Sequence, residues 1–208
     1  AQRDAGVRVS HVVMMGMGEP LDNFDNAMKF LSLVGDENGL NIGMRNISLS
    51  TCGIVPRIYE LMEKELQITL SVSLHAPENE LRSSIMPVNK KYPLALLMKA
   101  CRDYTEKTSR RISFEYAMVA NQNDTPECAV MLAKLCKGML CHVNLMPANE
   151  IEESSHKRSS EKTLNEFCNI LRSRGINVTV RRSLGSDIDA SCGQLRSRHE
   201  KQNSDGRK

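Results

Sequence analysis

The sequence predicts an α/β fold in which about six parallel strands curve into a partial barrel. Three observations predict it. Strand-like runs recur at 8–15, 46–51, 67–74, 112–118, 141–146 and 176–182, and each but the last is followed by a segment with helical spacing. That order builds a parallel sheet with right-handed crossovers. The chain has 208 residues, short of the ~250 typical of eight βα units. Finally, polar residues stand at one strand end after another, and in a barrel those ends converge on a single mouth.

The first run closes on Gly16-Met17-Gly18-Glu19-Pro20. Glycines just after a strand let backbone approach a ligand closely, so Glu19 becomes a fixed acceptor at a strand's C-terminal end. A helix over 24–34 follows, with Met28, Leu31 and Leu33 as its apolar positions, and then a loop or short hairpin over 35–45 to which no chemistry is assigned. The second run ends in Ser50-Thr51-Cys52-Gly53 ahead of a helix over 55–65. The third ends in His75-Ala76-Pro77, and the next helix is placed over 93–106. Strand 112–118 leads to a helix over 126–137, and strand 141–146 ends in Pro147-Ala148-Asn149. A polar loop over 150–160 precedes the last helix, 160–174, where Leu164, Phe167, Cys168 and Leu171 supply the apolar face. One core over 1–195, incomplete at its N-terminus, and a disordered polar tail over 196–208 are expected. The opening Ala-Gln-Arg-Asp, without an initiator Met and close to the first strand, points to a missing upstream part.

Composition is ordinary for a globular chain, 40% hydrophobic and 25% charged. No apolar run approaches the ~20 residues of a membrane span and no signal peptide opens the chain, so a cytoplasmic protein without a membrane partner is expected, and a monomer. The seven cysteines are odd in number and irregularly spaced and form no C-x-x-C pair, which fits reduced thiols and supplies no self-sufficient zinc or iron–sulfur pattern. Net charge is +3, with arginines gathered toward the C-terminal third, among them Arg181 and Arg182. That tilts toward an anionic partner. With four Phe, four Tyr and no Trp, recognition of nucleic acid by shape and phosphate is more plausible than base stacking on aromatics.

A polar residue after a strand is most often a turn former or cap. Repetition at successive ends favours a shared small-molecule site instead. His75 with His142 or Cys141 makes a weak metal alternative, since one His per strand end is not a matched ligand set. Cys192 lies between Ser191 and Gly193 in a polar loop with Asp187 and Asp189. Free Cys is commonly a small buried hydrophobe, but these surroundings are not those of a core segment, and nearby Arg181 and Arg182 would favour the thiolate. The two aspartates are read as loop solvation rather than a magnesium site.

Four motifs, Gly16-Met17-Gly18-Glu19-Pro20, Leu49-Ser50-Thr51-Cys52-Gly53, Ser73-Leu74-His75-Ala76-Pro77 and Gly185-Ser186-Asp187-Ile188-Asp189-Ala190-Ser191-Cys192-Gly193-Gln194-Leu195, together resemble one family. The resemblance is to the dual-specificity radical-SAM adenine C2 methyltransferases of 23S ribosomal RNA and transfer RNA, and it spans residue 8 to about 195. Relatives that methylate adenine C8 share the same core. The resemblance implies a radical-SAM partial barrel in which Gly18 and Glu19 hold the amino group of S-adenosylmethionine, a match for charge-assisted hydrogen bonds. It further implies that Ser50, Ser73, Leu74, His75 and Asn144 contact the rest of that cofactor, Leu74 through backbone or apolar contact. Cys192 would be methylated, become a methylene radical and add covalently to adenine C2, with Cys52 as a neighbour of the cofactor and not a methyl carrier. The partners implied are 23S rRNA, tRNA and an electron donor such as flavodoxin. A [4Fe–4S] cluster is implied for the complete enzyme, but the C-x3-C-x2-C loop, the second cysteine, the general base and an RNA-binding domain would all precede residue 1. A fragment inactive on its own is therefore expected. The rival readings are the related adenine C8 methyltransferase, a truncated module that only binds RNA or S-adenosylmethionine, and an unrelated barrel hydrolase or aldolase, for which neither a metal set nor a Schiff-base lysine is found.

Overall fold

The computed structural model describes residues 4, 6–147 and 158–181. Six strands form one parallel sheet in the order β1 to β6: β1 (Val12–Met14), β2 (Ile47–Thr51), β3 (Thr69–Ser73), β4 (Ile112–Met118), β5 (Cys141–Pro147) and β6 (Val178–Val180). An order that never reverses, joined by crossovers of one hand, puts every connecting helix on the same side of the sheet. The result is a partial barrel and not a doubly wound sheet. The helices are α1 (Phe24–Gly35), α2 (Val55–Glu63), α3 (Asn79–Ile85), α4 (Leu94–Thr108), α5 (Pro126–Cys136) and α6 (Glu161–Ser173).

Strand alternation sorts the side chains onto two unlike faces. Leu49, Leu70, Val72, Ile112, Phe114, Tyr116, Val143 and Leu145 are fully buried beneath the helices, and Tyr116 meets Phe167 of α6 with ring centroids 5.5 Å apart. Burial of each such side chain contributes about 1.5–3 kcal/mol. The opposite face carries Ser48, Ser50, Thr69, Ser71, Ser73, Ser113, Glu115, His142, Asn144 and Thr179, aligned in rows by the register. Helix ends follow local chemistry. Thr125 caps α5 by accepting from the Cys128 N–H, Pro126 opens that helix, and Ser160 caps α6 by accepting from the Thr163 N–H.

The expected helices match α1, α2, α4, α5 and α6 to within a few residues, whereas the outermost strands are shorter than their apolar runs. Runs 8–15 and 176–182 retain only Val12–Met14 and Val178–Val180, because each outermost strand pairs with one neighbour over three positions. Helix α3 and the 3-10 turn Pro87–Lys90 are additions to the elements expected from the sequence. Among the described residues no helix is long and apolar enough to cross a membrane.

Candidate functional site

Glu19 sits where β1 gives way to a 3-10 turn over Pro20–Asn23. Its Oε1 accepts from the Leu21 N–H at 3.0 Å and its Oε2 from the Cys52 N–H at 2.6 Å. One carboxylate thereby ties the end of β1 to the end of β2. A carboxylate offers about four acceptor positions, so each oxygen retains capacity for a ligand donor. Beside it opens a cleft of about 580 Å³ whose lining includes Met14, Gly16, Met17, Gly18, Glu19 and Phe30. The Cys52 thiol is pushed up to about 12, first by burial and then by its hydrogen bond to Glu19, so it stays protonated and a poor nucleophile at neutral pH. Gly53 follows at φ +103, where a Cβ would lie 2.9 Å from Leu97 Cδ1. Only glycine fits this turn.

Arg82 of α3 is fully buried. Its Nε–H donates to the Leu74 carbonyl (3.1 Å), one terminal nitrogen to Asn89 Oδ1 (2.9 Å), and the other to the carbonyls of Cys52 (2.8 Å) and Ser73 (3.0 Å). No carboxylate bonds to it among the described residues, and burial lowers its pKa. A guanidinium remains charged even so. It therefore acts as a cationic clamp on the carbonyls at the ends of β2 and β3. The Leu81–Ile85 pair, four apart between Pro77 and Pro87, is the sequence signal that marks its helix.

His75 adopts φ +58, a left-handed conformation uncommon outside glycine and informative where it occurs. Its ring Nδ1 accepts from the Ala117 N–H at 3.0 Å, which assigns the ring proton to Nε2. Burial, reinforced by the charge of Arg82, lowers the imidazole to about 4, so it is neutral. Asn123, fully buried, fastens this turn: its Nδ2 donates to the carbonyls of His75 (2.7 Å) and Ala117 (2.6 Å) while its Oδ1 accepts from the Val119 N–H (2.7 Å). Leu74 is fully buried, its N–H donates to the Glu115 carbonyl and its carbonyl accepts from Arg82. From that position it supports the turn from beneath.

Ser50, Ser73 and Asn144, drawn from three strands, share the face opposite the helices, and the register sets Glu115 between Ser73 and Asn144. The Glu115 carboxylate accepts from Ser113 Oγ (3.0 Å) and Asn144 Nδ2 (2.8 Å), Thr179 Oγ1 donates to Asn144 Oδ1 (3.3 Å), and His142 Nε2 bonds Thr179 Oγ1 (2.8 Å). The metal alternative is not assembled. Consecutive Cys141 and His142 point to opposite faces of β5, and among the described residues no three His, Cys, Asp or Glu side chains gather as ligands. Cys192, Asp187, Asp189, Arg182 and Asn149 lie outside the described residues, as do the loop over 150–157 and the tail.

The radical SAM superfamily profile matches residues 1–135. The chain belongs to the radical SAM superfamily. Its radical SAM relatives include a protein of Clostridium botulinum named "Probable dual-specificity RNA methyltransferase RlmN", 59% identical over 195 residues that make up 94% of this chain and 56% of that protein. A Lachnospira eligens protein of the same name is 53% identical over 95% of this chain and 57% of its own length. The chain thus spans a little over half the length of these relatives. Among solved structures, a radical SAM methyltransferase from Sphaerobacter thermophilus superposes with a TM-score of 0.88 at 46% identity, over 92% of this chain and 56% of that one. A domain of pyruvate-formate lyase-activating enzyme from Bacteroides vulgatus, 16% identical with a TM-score of 0.65, shares the fold.

The superfamily implies S-adenosylmethionine and an iron–sulfur cluster. The described residues fit the first. A carboxylate with spare acceptor capacity, an adjoining cleft and a face of hydroxyl and amide groups match an ammonium, a carboxylate and ribose hydroxyls. They do not fit the second. Cys52 is half-buried with a raised pKa, and Cys101, Cys128, Cys136, Cys141 and Cys168 are buried. Thiols dispersed through a core in this way do not converge as the thiolate set that a cluster needs.

Proposed function

We propose that this chain supplies the cofactor-binding barrel of a radical S-adenosylmethionine methyltransferase that methylates adenine C2 in 23S rRNA and tRNA. The observation that carries the reading is the convergence of Glu19, Ser50, Ser73 and Asn144 on the strand ends and open face of one sheet. When bound and reduced, S-adenosylmethionine supplies a methyl group and the radical chemistry that an unreactive aromatic carbon requires. Glu19 binds the cofactor's ammonium through its remaining lone pairs, held in place by the Leu21 and Cys52 N–H groups. Gly18, at φ +99 with open space where a Cβ would stand, lets the cofactor approach the backbone. Arg82 and Asn123 keep the Ser73–His75 turn in the shape that meets the cofactor.

Cys192 carries the methyl to the RNA and forms the covalent bond to adenine C2, whereas Cys52, held protonated, does not. The same reading assigns a flavodoxin-type electron donor, a cytoplasmic site of action, a monomer, and cluster ligands beyond the described residues. It is tested with the protein expressed from its full reading frame under anaerobic conditions. After exposure to S-adenosylmethionine and reductant, peptide mass spectrometry should find one added methyl on the peptide holding Cys192 and none on that holding Cys52. Adenine methylation should vanish in Cys192→Ala. Methylation that persists in that variant overturns the assigned mechanism, and a product methylated at C8 overturns the assigned position.

A further inference from the structure

Glu115 belongs to none of the four motifs, yet it occupies the centre of the open face. It lies in one register row with Ser73 on one side and Asn144, then Thr179, on the other. The residue is 5% exposed. A carboxylate buried to that degree is costly unless its oxygens are satisfied, and here both partners are neutral: Ser113 Oγ at 3.0 Å and Asn144 Nδ2 at 2.8 Å. Among the described residues no cationic side chain bonds to it.

That choice of partner has a specific consequence for Asn144. A side-chain amide is nearly symmetric in shape but not in function, since one end donates and the other accepts. An ionised carboxylate only accepts, so it tolerates the nitrogen end of the amide and repels the oxygen end. The observed network obeys this at both ends. Nδ2 faces Glu115, and Oδ1 accepts from Thr179 Oγ1 at 3.3 Å, with Thr179 itself bonded to His142 Nε2 at 2.8 Å. A neutral neighbour such as Gln pairs with either end of the amide and leaves both orientations populated.

We propose that Glu115 is a positioning residue of the cofactor site: it locks the Asn144 amide in one orientation, so that a ligand on this face always meets the same Oδ1 acceptor and the same second N–H donor. The inference rests on the reading of the site as one for S-adenosylmethionine. Glu115 acts through Asn144 and is not itself assigned a contact with the cofactor.

The test measures S-adenosylmethionine affinity by calorimetry and thermal stability side by side, on protein from the full reading frame. Glu115→Gln keeps the volume but exchanges the carboxylate's two hydrogen bonds for weaker neutral ones, which lowers thermal stability, and removes the orientational lock. With both amide orientations populated about equally, about half of the molecules present the correct one and affinity should fall about two-fold. The exchanged variant Glu115→Gln with Asn144→Asp restores a carboxylate–amide pair with its ends reversed. It should recover stability lost in Glu115→Gln while its affinity stays at least ten-fold below the wild type. Wild-type affinity in Glu115→Gln overturns the inference. So does an exchanged variant that regains stability and affinity together, because pairing alone then explains the residue. A wild-type protein that does not bind S-adenosylmethionine overturns the cofactor reading and this inference with it, which separates that failure from the other two.

Discussion

The two halves of the site are held by different physics. At the ends of β1, β2 and β3 the charged side chains grip backbone: Glu19 takes the Leu21 and Cys52 N–H groups, and Arg82 takes the carbonyls of Cys52, Ser73 and Leu74. Across β4, β5 and β6 side chains grip one another, from Ser113 through Glu115 and Asn144 to Thr179 and His142. In the first half, a substitution moves the chain itself and is felt as stability, and as affinity too where the residue, like Glu19, also faces the ligand. In the second it reorients groups on a sheet that stays where it was, and is felt as affinity.

Arg82→Met puts this contrast under the greatest strain. It takes the guanidinium from the Cys52 and Ser73 carbonyls and from Asn89 Oδ1, while the Leu74 carbonyl keeps the Ala76 N–H. Each buried group left unsatisfied costs about 1–3 kcal/mol, and we expect a loss of about 3 kcal/mol or more by urea unfolding. A loss under about 1 kcal/mol would mean that Arg82 is no clamp. Arg82→Lys should recover only part, because one ammonium cannot reproduce a planar fork spread over four acceptors.

Next comes the junction of the halves, His75. Its folded pKa, about 4 against the ordinary 6.5, lies below the unfolded value. The stability it contributes is therefore fully present above pH 6.5 and lost as pH falls from 6.5 through 4. The shift corresponds to on the order of 3 kcal/mol. His75→Asn, a residue that tolerates a positive φ, should flatten the acid limb of a stability–pH profile across that window. A smaller slope of the same sign should remain from His142, which burial also lowers. An unchanged profile in His75→Asn would mean that the imidazole is not the group that titrates.

The smallest expected effect belongs to the first half. Glu19→Gln keeps one acceptor oxygen but turns an amide toward the Leu21 or the Cys52 N–H. Removing a charge from a hydrogen-bonded pair costs roughly 1.5–3 kcal/mol, so S-adenosylmethionine affinity should drop ten-fold or more. Calorimetry that shows unchanged affinity would place Glu19 outside the cofactor's reach.

Much of the fold is legible in the sequence, for an identifiable reason. Alternation in Ile47–Thr51 and Cys141–Pro147 announces strands with one face buried, and the glycines around Met17 announce a strand end built for close approach. Those signals are local. Arg82, Asn123 and Glu115 escape a reading of the sequence because their partners are backbone groups or side chains of other strands, and a carbonyl thirty residues away leaves no trace beside the residue that binds it. Glu115 also sits inside an apolar-looking run, where its burial reads as an interruption of a strand and not as the middle of a site. The resemblance supplied Ser50, Ser73 and Asn144, and the structure contributes the register that sets them on one face.

The face opposite the helices is built almost wholly from short side chains, with Ser50, Ser71, Ser73 and Ser113 around a Glu115 and an Asn144 that already hold each other. Immobilising a long, rotamer-rich side chain on binding costs roughly 0.5–1.5 kcal/mol each. Serines have little freedom to surrender, and the longer groups here surrendered theirs when the sheet formed. The entropy lost when a small molecule settles on this face is thus mainly the ligand's own.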